Sequence, residues 1–231
     1  MSEGEIILVD KPTGMSCVDF VKRYHADHPH IKKLSFAGRL DELASGKLYI
    51  LTENKIYLRD ELCRKYKTYT CTVIKHIVTD SYDILGMPAI SDAAEQKIPN
   101  KYSQPYPPYS SVPIKRYRKP FWYVTRHKLP LDIAEIPVKQ VEIKQFTRTK
   151  EHKISPADLL DIIVSRIKLV DKKHDFRQAE IVDAWTELLK NHKNDIELVD
   201  IAVQCSSGTY IRSIANMMAG CAFDIQRTAY L

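Results

Sequence analysis

No apolar run in the sequence approaches the ~20 residues that a bilayer-spanning helix needs. The opening MSEGEIILVDKP has no basic stretch ahead of an apolar core, so it does not read as a secretion signal. The five cysteines, Cys17, Cys63, Cys71, Cys205 and Cys221, include no CxxC pair. An odd count without a signal peptide points to a reducing cytoplasm and no disulfide framework. No His/Cys cluster has the spacing of metal ligands, so no metal site is expected. Internal repeats and low-complexity tracts are also missing.

What remains is an ordinary globular composition. The 231 residues are 44% hydrophobic and 28% charged, enough chain for one large domain or two small ones with a buried core. The formal net charge of +6 permits a polyanionic partner without demanding one.

Patterning supplies the elements. EIILVD (5–10) reads as a buried strand followed by the turn KPTG. Ser16 can cap a helix to about Tyr24, with Val18 and Val21 facing inward. KLYILT (47–52) is a strand, and KTYTCTV (67–73) alternates, with Tyr69, Cys71 and Val73 on one face. TDSYDILGMP (79–88) is turn-rich, and VKQVEIKQF (138–146) is a strand. Ser155-Pro156-Ala157-Asp158 opens a helix striped by Leu159, Ile163 and Ile167. Asp175 and Gln178 suggest a capping box for a second helix, bearing Ile181, Trp185, Leu188 and Leu189. IELVDIAVQCS (196–206) returns to strand, and a helix follows with Ile211, Ile214, Ala215 and Met218 on one face. Mixed strands with segregated helices predict an α+β fold.

Three polar features stand out. Asp41, in SFAGRLDELASG, lies between Gly38 and Gly46 beside Arg39. It is either a turn residue or a nucleophile or general base. A nucleophilic carboxylate must be ionised, and a guanidinium close by favours that form. Arg212 falls in the first turn of a helix, against the helix dipole. It is either exposed on a frayed turn or offset by a buried carboxylate. Residues 101–130 carry seven Lys/Arg and no Asp or Glu, interleaved with seven Tyr, Phe and Trp side chains and His127. The bland alternative is a solvated loop. The concentration of cations and aromatics favours a nucleic-acid surface, where cations track phosphates and aromatics stack on unpaired bases.

Taken in order, several segments resemble the TruB family of transfer-RNA pseudouridine synthases: IILVDKPTGMSC, GRLDELASG, KTY (67–69), TDSYDILG (79–86), PPYSSVPIKR, CSSGTYIRSIA and AFDIQRT. They are collinear from residue 6 to 228. The resemblance implies a single pseudouridine-synthase domain over 1–231, with a mixed, mostly antiparallel sheet, flanking helices and a central cleft. It implies Asp41 as the catalytic aspartate, Arg212 as its ion-pair partner and Tyr69 as the residue packing on the target base. Tyr210 and Ile225 would line the uridine pocket, and Asp83 would join the polar network around it. Lys67, Lys115 and Arg116 would meet the RNA. No cofactor is implied. The partner would be transfer RNA, through the T-arm stem-loop and its uridine 55, bound by a cytoplasmic monomer.

The sequence departs from the family pattern at three places near the signature. Phe36 stands where the family has a base-flipping histidine, and Glu42 where it has proline. Arg39 gives the form GRLD, also seen in synthases related to RsuA and RluA that act on ribosomal RNA. Arg39 and Phe36 are therefore expected to share the histidine's job. Residues 150–194 form a helical insertion where relatives have a short turn, read either as a packing ornament or as grip on RNA. The sequence ends at Leu231, so no C-terminal PUA-like RNA-binding domain is expected. Two alternatives stay open: a synthase acting on ribosomal or another RNA, and a non-catalytic RNA-binding or RNA-folding module on this scaffold.

Overall fold

The computed structural model describes residues 3–231. The chain runs β1 (Ile6–Lys11), α1 (Cys17–Asp27), β2 (Leu34–Ala37), β3 (Ser45–Thr52), α2 (Arg59–Arg64), β4 (Lys67–Lys75), β5 (Ile77–Thr79) and β6 (Pro88–Ile90). It continues through β7 (Lys101–Pro105), β8 (Pro113–Ile114), β9 (Lys119–Pro120), α3 (Phe121–Arg126), β10 (Val138–Ile154), α4 (Pro156–Lys168) and α5 (Gln178–Lys190). It closes with β11 (Ile196–Cys205), α6 (Ile211–Met217) and β12 (Gly220–Tyr230).

Eight strands form one sheet in the order β1-β3-β12-β4-β11-β10-β7, with β2 also pairing β3. Every neighbour is antiparallel except β12 on β3, which run parallel over two residue pairs. The fold is thus α+β with a mixed sheet. The alternation read in β4 holds: Tyr69, Cys71 and Val73 are buried, while Thr70 is exposed. Together with Val199, Ile201 and Val203 of β11 they build the main core under α6. Residues of the other parity, Ile74, Ile196 and Leu198, face a second core made with Leu159, Ile163, Ile181 and Trp185 of α4 and α5.

Some local expectations change. In α1, Ser16 caps Asp19 N–H as expected, but Val18 is exposed and Cys17 is the buried residue. The α5 helix opens at Arg177 in the left-handed region (φ 63°) with no side-chain cap, while Asp175 accepts a hydrogen bond from Arg177 N–H instead. The β10 strand runs on from Phe146 to Ile154, although TRTKEHKI is largely exposed and carries no apolar alternation. Its ladder with β11 holds it. Strand β12 was not legible either. It fills the gap between β3 and β4, and its neighbours rather than its composition make it a strand.

Candidate active site

The loop joining β2 to β3 carries Asp41. Its two glycines answer to geometry. Gly38 has φ 77°, and Gly46 has φ 102° with a would-be Cβ only 2.2 Å from the Arg227 carbonyl oxygen. The loop is therefore pressed against β12. The Arg227 side chain, fully buried, donates from Nη2 to Gly38 O at 2.7 Å and from Nε to Lys47 O at 2.6 Å, bridging both ends of the loop. Sulfur atoms hold the near side. Cys63 Sγ accepts Gly38 N–H at 3.2 Å, and Cys17 Sγ bonds the backbone N–H and carbonyl of Leu40 at 3.2 and 3.3 Å. Lys11, also buried, donates to Glu42 O at 3.3 Å and to Met15 O at 2.6 Å.

Arg212 enters from the start of α6. Its Nε donates to Asp41 Oδ2 at 2.7 Å, its Nη1 donates to Ser81 O at 2.7 Å, and Asp83 Oδ2 lies 3.5 Å from Nε. The arginine side chain is 4% exposed and that of Asp41 36%, so the cation is sequestered while the carboxylate faces the cleft. Burial disfavours the Arg212 charge, but Asp41 and Asp83 outweigh it and its pKa is pushed up. Burial also raises Asp83, against the pull of Arg212. The unfavourable place of an arginine in the first turn of a helix is offset by these two carboxylates.

Two cavities meet at Asp41, and Arg39, Leu40, Asp41 and Tyr210 line both. One, of about 300 Å³, has Lys67, Tyr69, Ile225 and Arg227 in its walls. Burial lifts the Tyr69 hydroxyl above its ordinary range. Burial, with Arg227 nearby, pushes Lys67 down to about 8 while its ammonium donates to Cys63 O and Lys65 O at 2.7 Å. The Tyr210 phenol is raised to about 12 by burial and by Asp41. The other cavity, of about 410 Å³, is bounded by Asp83, Arg212, Tyr109 and Trp122, and by residues 173–177 of the α4–α5 loop. Among the described residues no group of three or more His, Cys, Asp or Glu is placed to hold a metal ion.

The structure thus gathers Asp41, Arg212, Tyr69, Arg39, Tyr210, Ile225, Lys67 and Asp83 at one cleft. Phe36 lines neither cavity: on β2 it packs against the main core. Lys115 and Arg116 are exposed beside the small core of Ile114, Phe121 and Val124, away from both cavities. Sequence reasoning passed over Arg227, although it stands in the recognised segment AFDIQRT. Asp80 stands in the recognised segment TDSYDILG and Arg177 in the insertion, but they meet only in the fold.

Residues 26–157, more than half of the chain, match the family model described as TruB family pseudouridylate synthase, N-terminal domain. The chain belongs to the TruB family. Its curated TruB relatives include the tRNA pseudouridine synthase B of Corynebacterium diphtheriae, 26% identical over 215 residues covering 93% of this chain and 61% of the relative. That of Lactobacillus acidophilus is 28% identical over 224 residues, covering 91% and 61%. The chain therefore spans about three fifths of the length of these TruB relatives. Among solved structures, one of a Cbf5-Nop10-Gar1 complex superposes with a TM-score of 0.53 at 14% identity, over 97% of this chain and 48% of that one, which is a likeness of fold.

Proposed function

We propose that this TruB-family chain isomerises uridine to pseudouridine in RNA, with the T-loop uridine 55 of transfer RNA as its target. The observation that carries the reading is the 2.7 Å pair of a cleft-facing Asp41 and a buried Arg212 where two cavities meet. The curated relatives, named tRNA pseudouridine synthase B, support the substrate.

The chemistry fits the site. The N1–C1′ bond of the nucleoside breaks, the uracil turns, and C5 bonds to C1′; the C5 proton leaves and N1 gains one. The sum needs one positioned carboxylate and a pocket that retains the detached base, with no electrons from outside. Asp41 is the carboxylate, and Arg212 aims it through the 2.7 Å contact. Tyr69 and Ile225 are the apolar walls on either side of the base, with Tyr210 at the rim and Asp83 behind Arg212. The uridine must first leave its stack, at a cost of a few kcal/mol. Arg39, which lines both cavities, fills the vacated space; Phe36, held in the core, does not share that task. Lys115 and Arg116 meet phosphates, while Lys67, buried and bonded to Cys63 O and Lys65 O, faces the nucleoside from the wall of the smaller cavity. Residues 3–231 act as one catalytic unit. We take the working unit to be a monomer, and five free cysteines suit the cytoplasm.

Arg39 in the form GRLD favours one second reading, the same isomerisation on ribosomal or another structured RNA. Pseudouridine mapping on total RNA from cells with and without the protein separates the two. Purified Asp41→Asn tests the chemistry itself: it should bind RNA as wild type does and form no pseudouridine. Product from this variant at the wild-type rate would end the reading.

A further inference from the structure

The α4–α5 hairpin occupies 156–190 of the expected 150–194 insertion, whose first residues belong to strand β10, and it reaches the candidate site through the start of α5. Arg177 donates from Nη2 to Asp80 Oδ2 at 2.9 Å, and its guanidinium lies 5.0 Å from the centre of the Tyr109 ring. Tyr109 Oη donates to the same Asp80 oxygen at 3.1 Å, and Met87 N–H uses the other at 2.8 Å. Further along α5, Trp185 Nε1 donates to Ile84 O at 3.1 Å. The hairpin therefore grips the turn at residue 80 and again at residue 84. Between those grips lie both of the groups behind Arg212: Ser81, whose carbonyl accepts Nη1 at 2.7 Å, and Asp83, tied to Ser81 Oγ at 2.7 Å. Arg177 also occupies the left-handed region, with φ 63°, where glycine would sit without strain. Strain of this kind persists where the surroundings over-determine it. Here the surroundings use the arginine side chain.

We propose that Arg177 is a positioning residue for the reaction: by fixing Asp80 it sets the Ser81 carbonyl that aims the Arg212 guanidinium at Asp41. The inference rests on Asp41 being the catalytic residue. It makes the hairpin a working part of the site, acting through the turn rather than through RNA.

Three variants test it on whichever RNA the wild type modifies: Arg177→Gly, Arg177→Lys and Asp80→Asn. Arg177→Gly removes the side chain and relieves the backbone together, so melting stays near wild type. Its kcat should fall about tenfold or more, as a misaimed catalytic group does, with KM for RNA little changed. Arg177→Lys, which returns a cation to Asp80, should recover part of the loss. Asp80→Asn approaches the contact from its other side and should reproduce the loss, and the double variant should be no slower than either single one. If Arg177→Gly does not fold, Asp80→Asn decides alone. An unchanged kcat, a change confined to KM, or a loss that lysine leaves untouched overturns the role of Arg177. Product made by wild type but lost by no Arg177 or Asp80 variant removes this inference and leaves the functional reading standing. A wild type that makes no pseudouridine on any RNA removes both.

Discussion

Arg227 does for the backbone of the Asp41 loop what Arg212 does for its carboxylate. It is 1% exposed, and its guanidinium spans Gly38 O and Lys47 O, nine residues apart in sequence yet brought together by one planar fork. A lysine is a single point donor on a flexible stem and cannot serve both carbonyls. Leaving a buried acceptor without a partner costs about 1–3 kcal/mol. Arg227→Lys should therefore lose about 2 kcal/mol of stability in a urea unfolding titration, and turnover should fall with the loosened loop. A loss within about 0.5 kcal/mol, the range of ordinary surface changes, would show that Arg227 does not brace the loop. The two arginines divide the work because the loop needs two different things: hydrogen-bond donors for its backbone carbonyls and a counter-charge for the carboxylate at its tip.

At the scale of elements, the α4–α5 loop is fastened to α1. Asp19, near the start of α1, takes Lys173 Nζ at 2.9 Å and His174 Nε2 at 2.7 Å. Burial works against the Asp19 charge, but the hydrogen bonds from Lys173, His174 and Ser16 outweigh it and hold its carboxyl well below the usual range. A depressed carboxylate contributes stability that is present above its unfolded pKa, near 3.9, and is lost as pH falls below that toward the folded value. Wild type should thus exceed Asp19→Asn in stability at neutral pH, and the gap should narrow once pH drops below about 4. A gap that stays constant from neutral pH down to about 3 would mean the charge is not what fastens the loop. The helices in this contact were legible in the sequence: Ser16 and Ser155 cap as their spacing suggested, and the Leu159, Ile163, Ile167 stripe is buried. The contact itself was not, since Asp19 and Lys173 are joined only by folding. The same division runs through the site. Asp41, Tyr69 and Arg212 stand in local motifs with a chemical pattern. Arg177 and Arg227 act by bridging segments far apart, and their own neighbourhoods say nothing of it. Strand β12 and the far half of β10 escaped notice because their partners, not their apolar periods, make them strands.

Across the whole molecule, charge and chemistry are set apart. The cleft pairs Asp41 with Arg212, whereas residues 101–130, with seven Lys/Arg and no acid, reach the cavities with a single cation, Arg126. Lys115 and Arg116 there are exposed and line neither cavity; Arg116 has a 3.4 Å contact with Glu135, with both side chains partly in solvent. Surface pairs of this kind contribute about 0–1 kcal/mol, so a phosphate can displace Glu135 at little cost. If this face tracks an RNA backbone, affinity falls with salt, and the slope counts the phosphates neutralised, at about 0.7–0.9 per contact. Lys115→Ala should weaken RNA binding and make the slope of log K against log salt shallower by about one. Its kcat at saturating RNA should match wild type, because the residue acts on association and stands away from the reacting base. Filter binding or fluorescence anisotropy over a salt series, beside single-turnover product formation, reads both quantities on the same RNA. An unaltered slope would take Lys115 off the RNA interface. A fall in kcat at saturation would instead tie this remote face to the cleft, and the separation of grip from chemistry would fail.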